Sequence, residues 1–141
     1  MKRISTIALL ALTMTGSALA ADQIVHLTLD GRPVDRAGGV AMRHHGIVYA
    51  DLRDLVRAFN GLVTYQGQKS VVSVGTHVAT FTLGSRTMLL DQGALMMKGQ
   101  PFVRNGDVYV PLDAFVRNLA RARVTYSGAN ADIRVNANPI S

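Results

Sequence analysis

The chain has 141 residues, with 15 Lys and Arg, nine acidic residues, four His and no Cys, and carries a formal net charge of +6. That length suits one domain with its own core, and the missing cysteine excludes disulfides, thiolate metal sites and a lipid joined to a cleavage-site cysteine. The cations are dispersed and no nucleic-acid-reading motif accompanies them, which argues against a nucleic-acid partner.

Lys2 and Arg3 form a short positive head, Ile7 to Leu12 an apolar run, and Ala18-Leu19-Ala20 a small-residue end. This pattern predicts a signal peptide over residues 1–20, cleaved after Ala20. Removing it leaves 121 residues, and the loss of Lys2 and Arg3 lowers the charge by two to +4. No later run is long enough to span a bilayer as a helix, so no membrane insertion is expected after cleavage.

Ile24, Val25, Leu27 and Leu29 predict a first strand, closed by the turn Asp30-Gly31. Residues 36–39 read as loop, and His45-Gly46 as a second turn before Ile47-Val48-Tyr49. Leu52, Leu55, Val56 and Phe59 then fall at i, i+3, i+4 and i+7, the single apolar stripe of a helix, with Gly61 as its expected left-handed terminus. A hairpin follows, its arms Leu62 to Tyr65 and Val71 to Val74. His77 to Leu83 alternates as a half-buried strand does, and Thr87 to Leu90 and Ala94 to Met97 add strand-like runs. Leu112, Phe115, Val116 and Leu119 repeat the helical stripe, with Pro111 expected at the first helical position. A second hairpin joins Arg123 to Tyr126 with Asp132 to Val135, and residues 136–141 form a polar tail.

Two segments of this order nearly match. Residues 48–57 return at 108–117, an offset of 60, and Val63-Thr64-Tyr65-Gln66-Gly67 returns as Val124-Thr125-Tyr126-Ser127-Gly128, an offset of 61. One residue is therefore gained between the two matches. The expectation is a duplicated strand–helix–hairpin unit, with copies at about 24–75 and 77–135 inside one pseudo-symmetric domain over 21–135. Two helices, each needing a sheet to cover its stripe, predict an α+β fold with the helices packed on twisted antiparallel sheet.

Arg104-Asn105-Gly106-Asp107-Val108-Tyr109-Val110-Pro111-Leu112, together with Phe81-Thr82-Leu83-Gly84-Ser85, resembles the copper amine oxidase N-terminal domain family, the stalk module of bacterial exported proteins. The likeness spans roughly residues 24 to 135. His45-Gly46 stands where the family has Asn-Gly, Asp51 where it has proline, and Tyr65-Gln66 and Tyr126-Ser127 where it has Trp-Asp. The resemblance implies an accessory, non-catalytic domain remote from copper chemistry. It also implies an envelope role, with an envelope polymer, an envelope protein or a second copy as partner, in the periplasm or at the cell surface.

The residues themselves assign no catalytic, cofactor-binding or metal site. Met42, His44 and His45 are the metal alternative, because thioether and imidazole suit copper or zinc. Adjacent histidines on a strand would, however, face opposite ways. Met96 and Met97 read as core filling, and His26 and His77 as surface or strand-edge residues. Asp51 and Asp54 suit the first turn of a helix. Tyr49 and Tyr109, and Tyr65 and Tyr126, sit at matching places and read as packing residues. Arg117, Arg121 and Arg123 read as a solvated face rather than an anion patch. If the domain binds, a strand edge or the loops joining the two copies are the expected surface.

Overall fold

The computed structural model describes residues 22–34 and 40–135. The expected signal peptide, the loop over 36–39 and the polar tail lie outside the described residues. Three hairpins are dictated by their turns. Asp30-Gly31, His45-Gly46 and Asn105-Gly106 each place both residues at positive φ, from 51° to 84°, the backbone that a two-residue turn needs to match strand twist. They join β1 (Gln23–Leu29) to β2 (Arg32–Pro33), β3 (Ala41–His44) to β4 (Ile47–Asp51), and β10 (Phe102–Arg104) to β11 (Asp107–Pro111).

Between them run α1 (Leu52–Ala58), β5 (Leu62–Gln66), β6 (Lys69–Val74), β7 (His77–Thr82), β8 (Thr87–Leu90) and β9 (Gly93–Met96). After β11 come a π-helical segment, Ala114–Leu119, then β12 (Arg123–Ser127) and β13 (Asn130–Arg134). The larger sheet is ordered β10-β11-β4-β3-β1-β13-β12, with β2 also on β1; the smaller is β5-β6-β7-β8-β9. Among the described residues all pairings are antiparallel except β1 with β13. Thr28 on β1 reinforces that parallel contact by donating to Asp132 across 2.6 Å.

The α+β expectation is not met. Strand takes 56% of the described residues and helix 14%, so the fold is mostly β in two sheets. Both helical stripes are where the periodicity places them, but each marks only about two turns. Neither helix forms a layer. The α1 helix touches β4 and β11 of the larger sheet and β5 of the smaller, while the π segment touches β11, β12 and β7. They fill the gap between sheets, and one contiguous core results: Leu27, Leu52, Leu55, Val110 and Phe115 lie in it with Val72, Phe81 and Met88.

The helix ends explain two further differences. The left-handed residue after α1 is Asn60 (φ 57°), not Gly61. Gly61 N–H reaches Val56 O at 2.8 Å and Asn60 N–H reaches Arg57 O at 3.1 Å, the paired bonds of a Schellman terminus. Gly61 is needed for close approach, since a Cβ there would run into the Ser73 carbonyl. In the second segment Ala120 N–H bonds Phe115 O at 2.9 Å, an i→i−5 bond, and Ala122 N–H bonds Val116 O. Val56 and Gly61 are five apart; Val116 and Ala122, their counterparts by sequence, are six apart. The residue gained between the two matches is thus taken up as a π turn, a common fate of a single added residue in a short helix.

At the N-terminal ends the two segments also differ. Pro111 closes β11 instead of opening the helix, at a place where the ladder ends and its missing N–H costs nothing. Its counterpart Asp51 is 2% exposed and caps α1, accepting from Arg53 N–H at 2.9 Å and Asp54 N–H at 3.3 Å. Asp51→Ala should cost about 1–2 kcal/mol, the upper range for a lost cap, whereas Asp51→Asn should cost clearly less. Urea unfolding of the two variants beside the parent chain checks this; equal losses would show that the cap bonds are not what Asp51 contributes.

Candidate functional site

The strands β4 and β11 pair in a register that is symmetric about Ala50 and Val110: Tyr49 faces Pro111, and Asp51 faces Tyr109. Ala50 and Val110 are themselves counterparts at the 60-residue offset, so the ladder presents two like ends. Each end opens on a hollow. One is lined by Gly106, Asp107, Val108, Asp51, Arg53 and Tyr65 and holds about 110 Å³. The other is lined by the counterparts of those six, Gly46, Ile47, Val48, Pro111, Asp113 and Tyr126, but holds about 470 Å³, within the range of ligand clefts.

The extra volume has identifiable sources. Arg43, the segment Met96-Met97-Lys98, and Ala114, Arg117 and Asn118 of the π segment line the larger hollow and have no counterpart in the smaller one. Three cations therefore face one carboxylate. Tyr126 donates its hydroxyl to Asp113 at 2.5 Å, and Arg117 lies 3.6 Å from the same carboxylate. Burial, then the Asp113 bond and charge, push the Tyr126 phenol far above its usual value, so it remains a donor throughout the physiological range. In the smaller hollow the matching pair is Arg53 over the Tyr65 ring, 5.8 Å from guanidinium carbon to centroid. The tyrosine–helix contact persists while its chemistry changes.

Other expected positions divide. Met97 is buried, but Met96 is 71% exposed at the cleft rim and is not core. Arg117, Arg121 and Arg123 do not act together: Arg117 lines the cleft, while Arg121 bonds the Asn118 carbonyl and Arg123 lies on β12 opposite Arg134. His26 is on β1, and His77 meets Asp91 at 2.9 Å. Tyr49 and Tyr109 are buried, and both pack on Phe102, a residue the sequence did not single out.

The rings of His44 and His45 lie side by side, because His45 is in the turn and not on the strand, while Met42 is linked to His44 only through Arg104 and Asp22. His45 sits in the turn at φ 53°, and its ring centroid lies 4.0 Å from that of His44. A cation is already among them. Arg104 places Nη1 2.6 Å from Asp22 and 2.9 Å from the Met42 sulfur, and His44 Nδ1 is 2.9 Å from Asp22. No group of three His, Cys, Asp or Glu positioned for a metal occurs among the described residues.

A family model, Copper amine oxidase N-terminal domain, matches residues 28–135. The chain belongs to this family. No curated protein and no solved structure matches it. In copper amine oxidases this domain is a non-catalytic accessory, in keeping with a stalk-like module. In this family member no helix among the described residues is long and apolar enough to cross a membrane.

The Asp22 network has a pH consequence. Burial works to raise the Asp22 carboxyl, but the bonds from Arg104 and His44 prevail and hold it below the usual carboxylate range. A lowered folded value makes the stabilisation fully present above the unfolded value near pH 4 and lost as pH falls through the folded one. Asp22→Asn should therefore narrow the difference in Tm between pH 6 and pH 2, measured by circular dichroism. An unchanged difference would remove Asp22 from the acid response.

Proposed function

We propose that this chain is an exported, non-catalytic module that binds or scaffolds in the cell envelope, at the periplasmic or outer surface, and that its two matching segments arose by internal duplication. The observation that carries the reading is family membership over residues 28–135, because the domain is an accessory in the enzymes that gave the family its name. The positive head, apolar run and Ala18-Leu19-Ala20 end support export. The candidate partners are an envelope polymer, an envelope protein or a second copy. Binding surface, rather than reacting groups, is what the cleft offers: among the described residues Asp113 is the one carboxylate lining it, and it is held by Tyr126 and Arg117.

The alternative of a copper or zinc protein using Met42, His44 and His45 is the weaker reading. Arg104 would have to leave both Asp22 and the Met42 sulfur before a second cation could approach, since like charges at that spacing repel.

Export predicts that protein recovered from the host envelope begins at Ala21 by intact mass. That protein should co-sediment with isolated envelope material and survive washing in high salt, which screens general electrostatics. An intact Met1 in a purely cytoplasmic fraction would sink the export reading. Binding abolished by salt would reduce the contact to net charge.

A further inference from the structure

We infer that the larger cleft and the free edge of β9 together form a docking site for an extended acidic peptide. The inference rests on the binding-module reading above and names its partner chemistry. Its first support is the comparison the chain makes with itself. Two hollows with like walls stand at the two ends of the β4–β11 ladder, and one is about 470 Å³ against about 110 Å³ for the other. The π turn is part of the opened wall, bringing Arg117 and Asn118 to it; single π turns recur at functional sites.

The second support is charge. Arg43, Lys98 and Arg117 line the cleft. Arg43 bonds the neutral Gln23 side chain and the Gly128 carbonyl, and Arg117 bonds the Val124 carbonyl at 3.1 Å besides its longer approach to Asp113. Lys98 is exposed and has no ion pair among the described residues. Asp113 answers one of the three cations. A carboxylate-bearing ligand would answer the others, as complementary interfaces do.

The third support is the strand that leads into the cleft. β9, Gly93–Met96, is the outer strand of the smaller sheet, exposed along its whole length. It carries neither charge nor proline, the usual protections of a free edge. Leu95 is 37% and Met96 71% exposed. β5, the opposite outer strand, is also uncharged, but its Tyr65 faces the small hollow. An extended peptide laid along β9 would gain main-chain hydrogen bonds from the edge and side-chain selection from the cleft. A polymer without peptide N–H groups would use only the charge.

Isothermal titration of the full mature chain with an eight-residue peptide alternating Asp and Val tests this. Expected is one saturable site, about fivefold weaker in Lys98→Gln, with amide shifts in the NMR spectrum confined to residues 93–98 and the cleft. The same peptide N-methylated along one edge should lose binding. Equal binding of the N-methylated peptide, equal binding of a Lys-Val peptide, or no binding would each overturn the inference. So would a dimer that protects the β9 amides, which would assign the edge to a second copy. Failure of the peptide alongside salt-resistant envelope binding would discard this site and leave the binding-module reading standing.

Discussion

The pairing of β4 with β11 is the contact on which the rest of the molecule depends. It joins residues 60 apart through a register centred on Ala50 and Val110, both fully buried. Each strand runs directly into a helical segment, so the ladder fixes where both helices start. Those helices then close the gap between the two sheets, with Leu52 and Leu55 from one and Phe115 and Leu119 from the other in the core. Burying side chains of that size is worth roughly 1.5–3 kcal/mol each. A slip of one residue in the β4–β11 register would turn the side chains of one strand to the other face relative to its partner and shift one helix start against the other.

From that symmetric centre the two segments diverge in a physically traceable way. After α1 the chain delivers β5 and β6 to the smaller sheet; after the π segment it delivers β12 and β13 to the larger one. A capped, Schellman-terminated α1 faces a π segment without a side-chain cap. One end of the ladder keeps a small hollow in which Arg53 lies over Tyr65. The other is lined in addition by Ala114, Arg117 and Asn118 of the π segment and by the chain between β9 and β10, and in it Tyr126 restrains Asp113. Both ends fall within residues 28–135, which the copper amine oxidase N-terminal domain model matches.

The cluster at Asp22, Met42, His44 and Arg104 shows how composition can suggest one chemistry and placement another. Imidazoles and a thioether in sequence proximity are metal-ligand types. Folding puts a guanidinium from β10, some sixty residues later in the chain, against the sulfur and the carboxylate. The site becomes a hydrogen-bonded ion cluster that ties the start of the described chain to the larger sheet.

Local chemistry sufficed for the parts governed by neighbours. The three Gly-containing turns with paired positive φ, the two apolar stripes, both hairpins and the alternating β7 are legible because φ/ψ preference and periodicity act over a few residues. The family likeness was legible for the same reason, its motif being a contiguous turn, strand and helix start. Even the π turn left a trace, as the change of offset from 60 to 61. The sheet partners, the parallel β1–β13 contact and the mostly-β balance were not legible, because strand pairing is decided by which apolar faces meet across long loops. The helix stripes suggested a helical layer, but two-turn segments can only plug a gap between sheets. The cleft was hidden for a similar reason: Arg43, Lys98 and Arg117 are 55 and 19 residues apart, and no spacing rule relates them. Only the antiparallel centre, by placing the β3–β4 turn, the end of β9 and the π segment at one corner, brings their charges to a common space.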